Sequence, residues 1–182
     1  MKTLRWFAFF FVFLIFGFDG VRLARGAEYP YDDDNITIEE EAPVAVDVSL
    51  PVDSTKPEGV KFVAPEKGTY RISITGGAFC YLPQDTESWA LYGGWSTLLH
   101  YYVNQTIQWG EPDQWGKHPV NFTGTVGAGN RLATVAKAEA EGQGASVTVA
   151  LDKGDSIWFL VSDGLSYYSD NSGIVTVRIT GP

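Results

Sequence analysis

Short runs in which apolar and polar residues alternate recur from residue 44 to the end of the chain, and they limit the fold more than any other feature. Val44, Val46, Val48 and Leu50 alternate with polar or small residues, which is the period-two pattern of a half-buried β-strand. Glycine and proline, which favour turns, separate most of the runs. The pattern predicts strands at 44–50, 60–63, 70–74, 98–103, 106–109, 132–138, 147–151, 157–161 and 174–179.

Segment 131–142 is the region where a helix competes with a strand. Ala133, Ala136, Ala138 and Ala140 favour a helix, but glycines on both sides favour two strand segments or a hairpin arm, and we expect strand here. The strand at 157–161 is apolar on both faces, so we expect it to be central. About nine strands without a convincing helix predict an all-β fold, a jelly-roll-like antiparallel β-sandwich.

The first 26 residues read as a signal peptide. A short basic start precedes an apolar run at 6–18, which is too short to span a bilayer core of ~30 Å, and Ala24 and Gly26 suit a signal peptidase. We therefore expect a secreted, periplasmic or cell-surface protein whose mature chain does not insert into a membrane; an uncleaved leader acting as a short anchor is the alternative. Residues 27–43 form an acidic segment expected to be flexible, and residues 44–182 form the sandwich domain.

The mature chain is strongly acidic. Without the leader it has 9 basic and 21 acidic residues, a formal charge of −12. Such a chain repels phosphate backbones and anionic lipids, so we expect no nucleic-acid partner. The carboxylate oxygens of Asp and Glu do suit a hard cation such as calcium.

Residue types that usually carry catalysis are scarce. With Cys80 as its one cysteine the chain can form no intrachain disulfide, and we expect this thiol to be buried as a small apolar group. His100 in an apolar strand and His118 in a loop have no zinc-ligand spacing. Glycoside cleavage needs two carboxylates that face each other across a cleft, whereas Asp85 and Glu87 share one loop. No nucleophile-elbow pattern, which would support a catalytic serine, is present. We predict that the protein is not an enzyme.

The connection at 162–173 is too long for a tight hairpin and carries two carboxylates and an amide, on Asp163, Asp170 and Asn171. Two carboxylates that a loop folds together repel each other unless a cation neutralises them. Calcium binds six to eight oxygens of this kind. The alternative is that Asp163 caps a turn while Asp170 and Asn171 occupy ordinary turn positions.

Three stretches, at 77–81, 96–105 and 163–173, resemble the calcium-dependent galactophilic (PA-I-like) lectin family, whose members are small bacterial β-sandwiches of the galactose-binding-domain-like type. In that family one calcium site also holds the sugar. The resemblance implies a lectin-like protein that binds carbohydrate, including galactose-like glycans, through Ca²⁺. It implies Asp163, Asp170 and Asn171 as side-chain ligands and Tyr81 and Tyr167 as backbone-carbonyl donors.

The loop after Tyr81 departs from the family pattern, because it is shorter and its residues do not align with the sugar-contacting histidine and glutamine. It offers other candidates for the sugar, and Tyr168 joins them; the set is Gln84, Asp85, Trp89, Tyr92 and Tyr168. We expect one of the aromatic rings to stack on the sugar, and Trp95 and Trp115 also lie in glycine-rich loops that favour exposed rings.

A second functional hypothesis stays open. The chain would then be a non-catalytic structural or adhesion module of the cell surface, with a loop that is metal-free or purely stabilising and an aromatic surface that contacts a protein partner. A homo-oligomer is compatible with either hypothesis.

Overall fold

A computed structural model describes residues 45–82 and 93–182, in which most of the chain forms β-strands. The predicted signal peptide and acidic segment, and the candidate residues Gln84, Asp85, Trp89 and Tyr92, lie outside the described residues. The elements in chain order are β1 (Val46–Asp53), β2 (Val60–Val63), β3 (Gly68–Cys80), β4 (Trp95–Ser96), β5 (Leu99–Val103), β6 (Gln108–Trp109), β7 (Pro119–Val120), β8 (Gly124–Val126), α1 (Val135–Gly142), β9 (Ser146–Leu151), β10 (Ser156–Leu160) and β11 (Ser172–Gly181).

Two antiparallel sheets form the fold, as the alternating pattern predicted. One has the order β1-β11-β3-β4, with β9 also paired to β3, and the other has the order β2-β10-β5-β8. Strands β6 and β7 form a separate two-stranded ribbon. Strand β10 lies between β2 and β5, which confirms that it is a central strand. The prediction of an all-β antiparallel sandwich is therefore confirmed.

The core lies between the two large sheets. Tyr70, Ile72 and Ile74 of β3 are buried, and the intervening Arg71 and Ser73 are not. Together with side chains of β11 they pack in one cluster with Ile157 and Phe159 from the opposite sheet. Burial of one such side chain contributes roughly 1.5–3 kcal/mol, so the alternation of residue types along each strand is what holds the sheets together.

The prediction of strand at 132–138 is wrong, because Leu132 forms only an isolated bridge with Trp95 and helix α1 begins at Val135. The Thr134 side chain accepts a hydrogen bond from the Lys137 backbone N–H and caps the first turn. The alanines have high helix propensity, Ala138 is buried, and Glu139 Oε1 accepts a hydrogen bond of 2.7 Å from Gly77 N in β3. Capping, propensity and docking on the sheet all favour the helix over the strand that the flanking glycines indicated.

The register between β3 and β11 positions two chain ends beside each other. Cys80, the last residue of β3, pairs with Ser172, the first residue of β11. Tyr81 leaves one strand where Asn171 enters the other, so the connections before β11 and after β3 meet at one end of the sandwich. Cys80 is fully buried there, as predicted.

No helix in residues 45–82 and 93–182 has the length and apolar character needed to cross a bilayer.

Candidate functional site

The loop 161–171, between β10 and β11, is held to the body of the protein by a buried tyrosine. Tyr168 begins a short 3-10 helix (Tyr168–Asp170), is only 3% exposed, and donates its hydroxyl hydrogen to the Val161 carbonyl. Its ring lies edge-on to Trp109, with 5.9 Å between the ring centres. Tyr168 therefore has no open ring face, which removes it from the aromatic candidates for stacking on a sugar.

Tyr81 borders this loop from the end of β3. Its ring packs edge-on against Phe79 at 5.0 Å, and the Arg131 guanidinium lies 5.0 Å from the centre of the same ring. Burial, followed by the nearby Asp163 carboxylate, raises the pKa of Tyr81 to about 12, while Arg131 opposes this rise. The Tyr81 hydroxyl is therefore neutral at ordinary pH.

A hairpin formed by β6, β7 and residues 110–118 docks on the other side of the loop. Leu165 N donates a hydrogen bond of 2.8 Å to the Lys117 carbonyl. Gly164 lies so close to the hairpin that a Cβ at this position would overlap the carbonyl oxygen of Trp115. A backbone hydrogen bond and a contact that only glycine permits thus join the loop to the hairpin.

The three segments enclose an open cavity of about 580 Å³, a size typical of small-ligand pockets. Four of the five residues predicted as calcium ligands line it, and Trp115, His118 and Arg131 also contribute; the lining residues are Tyr81, Leu82, Trp115, His118, Arg131, Ser162, Asp163, Tyr167 and Asp170.

Three side-chain oxygens at this site are buried without a hydrogen-bond partner among the described residues: Asp163 Oδ2, Asp170 Oδ1 and Asn171 Oδ1. Asn171 is 5% exposed, and its Nδ2 donates a hydrogen bond of 3.0 Å to the Ser54 carbonyl. Because a carbonyl can only accept, this contact fixes the amide orientation and makes Oδ1 the oxygen without a partner. Each buried polar atom left in this state costs about 1–3 kcal/mol, which a ligand could recover.

The surroundings of the two aspartates also disfavour their charged forms on balance. Burial raises the pKa of Asp163 above its usual value, and the nearby Asp170 carboxylate raises it further. A hydrogen bond of 2.7 Å from Gly164 N to Oδ1, the Asn171 amide and the His118 ring oppose this shift. Burial likewise raises the pKa of Asp170. The site therefore disfavours two negative charges unless a cation accompanies them.

The donor set fits a hard divalent cation. Two carboxylates, one amide oxygen and the carbonyls of Tyr81 and Tyr167 are the oxygen types that calcium binds. In residues 45–82 and 93–182 no group of three or more His, Cys, Asp and Glu side chains is arranged so that these side chains alone could hold a metal ion. A metal held here would therefore depend on neutral oxygens beside the two carboxylates.

Sequence reasoning did not connect Trp115, His118 or Arg131 with this site. For Trp115 the sequence indicated only an exposed ring, which its 55% exposed fraction confirms. The other histidine, His100, lies outside the cavity; it is buried against Phe122, with 3.9 Å between the ring centres. No local signal connects a hairpin at 108–120 to a loop some fifty residues later, because the link between them is a tertiary contact.

No protein-family model matches the sequence, and no curated protein matches it. A solved structure described as the EclA N-terminal domain, a PllA-like lectin, is similar to the chain with a TM-score of 0.36 and 17% sequence identity. The similarity covers 74% of this chain and 95% of that domain.

Proposed function

We propose that this protein binds carbohydrate through a calcium ion held by Asp163, Asp170, Asn171 and the backbone carbonyls of Tyr81 and Tyr167. The observation that carries the proposal is the set of three buried side-chain oxygens, one on each of Asp163, Asp170 and Asn171, that have no hydrogen-bond partner among the described residues. Asp163 and Asp170 are seven residues apart in the sequence but both line the cavity, and Asn171 directly follows Asp170.

Charge and donor chemistry favour calcium over other common metals. A divalent cation balances the two carboxylates, whose burial as bare charges is costly. Zinc prefers nitrogen and sulfur ligands, and the cavity offers one histidine, His118. Magnesium keeps several waters and an octahedral shell, whereas calcium accepts a larger and more irregular set of oxygens. The predicted export of the chain would place it where extracellular calcium modules operate.

Carbohydrate suits the coordination positions that the protein leaves open. Calcium takes six to eight oxygens, so the five proposed donors leave at least one position for a ligand. Two neighbouring hydroxyls on a rigid sugar ring supply neutral oxygens without adding charge. When bound, the ion would orient these hydroxyls, while Asp163, Asp170 and Asn171 hold the ion in place. The proposed activity is binding without any covalent step.

The second candidate is a non-catalytic structural or adhesion module that contacts a protein partner. The observation that favours it is a group of exposed apolar side chains beside the cavity, on Trp115, Leu165 and Tyr167. Such patches also occur at protein interfaces.

A glycan array, probed with the wild-type protein in calcium and in chelator, separates the two candidates. We expect binding to one group of glycans in calcium, and loss of that binding in chelator and in the D163A/D170A variant. The D152A/D155A variant, which removes two aspartates from another turn, serves as the matched control and should bind as the wild type does. Binding that is equal in calcium and chelator, or no glycan binding by the wild type, would contradict the proposal.

A further inference from the structure

Trp115 presents a large apolar ring to solvent at the edge of the candidate calcium site. It is 55% exposed and lines the same cavity as Asp163 and Asp170. With the exposed Leu165 and Tyr167 it forms an apolar group of the kind that occurs at ligand-binding and interaction sites. The ring is therefore a candidate for contact with a ligand that also reaches the aspartates.

The other described tryptophans have structural neighbours that explain their positions. Trp109 packs edge-on against the buried Tyr168, and the Lys61 ammonium lies 5.5 Å from the ring centre of Trp158. Trp95 belongs to β4 and pairs with Leu132. Among residues 45–82 and 93–182, Trp115 is the tryptophan with a largely exposed ring.

The backbone under Trp115 is held in place at the tip of its hairpin. Trp115 N donates a hydrogen bond of 2.7 Å to Asp113 Oδ1, and Asp113 and Gly116 exchange backbone hydrogen bonds of 3.0 and 3.1 Å. His118 Nε2 lies 3.3 Å from Asp113 Oδ1. An exposed ring on a tightly bonded turn loses little conformational entropy when it contacts a ligand.

The same hairpin is fixed to the loop that carries the aspartates. The bond from Leu165 N to the Lys117 carbonyl and the close approach of Gly164 to the Trp115 carbonyl join the two backbones. The position of the hairpin tip, which carries Trp115, relative to the loop is therefore set by backbone contacts. A single ligand that contacts both the Trp115 ring and the carboxylates must be long enough to reach from one to the other.

A glycan of two or more sugars has the required chemistry and size. A pyranose ring has a face of C–H groups that stacks on an aromatic ring, and hydroxyls at its edge that bind a cation. The cavity of about 580 Å³ lies in the range that holds drug-sized ligands, which are larger than one sugar ring.

We propose that Trp115 forms a second sugar subsite, which stacks on the residue next to the calcium-bound sugar and makes the protein selective for oligosaccharides. This inference rests on the proposed calcium-dependent carbohydrate binding and specifies the ligand class of that site.

Calorimetry in saturating calcium tests the subsite with two kinds of probe. The probes are methyl glycosides of galactose, fucose and mannose, and disaccharides that carry each of these sugars at the non-reducing end. We expect wild type to bind at least one disaccharide about tenfold more tightly than the matching methyl glycoside, a difference of about 1.4 kcal/mol. In W115A this gain should disappear, while the affinities for the methyl glycoside and for calcium alone stay within about twofold of wild type. W115F should retain most of the gain because it keeps an aromatic face.

Phe122 provides the matched control, since it is also an exposed aromatic residue but does not line the cavity. F122A should keep the wild-type preference for the disaccharide. Calcium-dependent sugar binding with an unchanged disaccharide preference in W115A overturns the subsite alone, and so does an equal loss for both kinds of probe. A wild type that binds none of the sugars in calcium overturns the proposed function together with the subsite.

Discussion

Two connections next to strand β10 each carry a pair of aspartates and use them in opposite ways. In the turn before β10, Asp155 Oδ2 accepts a hydrogen bond of 2.8 Å from Asp152 N, and Asp152 Oδ1 lies 2.8 Å from the Lys67 ammonium. In the loop after β10, Asp163 Oδ2 and Asp170 Oδ1 are buried without a partner among the described residues. The first pair completes a turn, and the second has oxygens that the described residues do not satisfy.

The pKa of Asp155 shifts in the opposite direction from those of Asp163 and Asp170 because their surroundings differ. Hydrogen bonds from the Asp152 backbone N–H and the Asn104 side chain lower the pKa of Asp155. Burial raises the pKa values of Asp163 and Asp170. Aspartates in loops are usually structural, so the useful distinction is whether the fold satisfies their oxygens, which sequence spacing alone does not reveal.

The glycines of the two connections differ in a similar way. Gly154 has a φ of +90°, and a Cβ added there would meet no heavy atom within 4 Å, so glycine is required for its backbone conformation. Gly164 lies against the Trp115 carbonyl, so it is required for close approach of the hairpin. The turn needs glycine for its own shape, and the loop needs glycine for a tertiary contact.

The largest expected effect is on the response of stability to calcium. At a calcium concentration about 100 times the Kd, binding should add roughly 2.7 kcal/mol to the free energy of unfolding of the wild type. D163A/D170A should lose this gain completely. D152A/D155A should keep it, because Asp152 and Asp155 already have protein partners in the wild type. Thermal unfolding in calcium and in chelator measures both. A calcium response that survives in the first variant or disappears in the second would break the distinction between the two pairs.

Alanine at the two glycines gives the next effect in size. G164A should cost about 1–3 kcal/mol of stability, the usual cost of overpacking, and should weaken calcium-dependent glycan binding by moving the hairpin away from the loop. G154A should cost about 1–2 kcal/mol because of its positive φ, with no change in glycan binding. Denaturant unfolding and calorimetry report the two quantities separately. Equal effects of both variants on glycan binding would contradict the assigned roles.

The smallest expected effect is the dependence of stability on pH in chelator. Folding raises the pKa values of Asp163 and Asp170 above 3.8, so the folded state binds more protons and stability should fall as pH rises from about 3.8 through the raised values. Folding lowers the pKa of Asp155, so its contribution should be lost as pH falls below about 3.8.

Urea unfolding across this pH range should show the fall at rising pH in wild type and not in D163N/D170N. D155N should instead lack the loss of stability below about pH 3.8 and retain the fall of stability at rising pH. Identical pH profiles for D163N/D170N and wild type would show that burial does not raise the pKa values of these two carboxyl groups.

Sequence reasoning succeeded where the signal is local and periodic. The alternation of Tyr70, Ile72 and Ile74 identified one face of β3, and β2 has the predicted bounds. It failed at α1, where Thr134 capping and the contact of Glu139 with Gly77 outweigh the flanking glycines. A cap is readable from sequence, but docking of a side chain on a distant strand is not.

The candidate site likewise has a part that local sequence indicates and a part that depends on tertiary contacts. Asp163, Asp170 and Asn171 lie in one loop, and their oxygen chemistry is visible in sequence. The burial of Tyr168 depends on the position of its ring against Trp109, and the place of Trp115 depends on a hairpin docked from elsewhere in the chain. Aromatic residues look alike in sequence, and tertiary packing decides which of them face a ligand.

Calorimetric titration of calcium into the chelator-treated wild-type chain addresses the metal itself. We predict saturable binding of about one calcium ion per chain, as expected for a single set of six to eight oxygen ligands, and no such binding by D163A/D170A. An absence of calcium binding by the wild type, or equal binding by the variant, would contradict a metal role for the loop after β10.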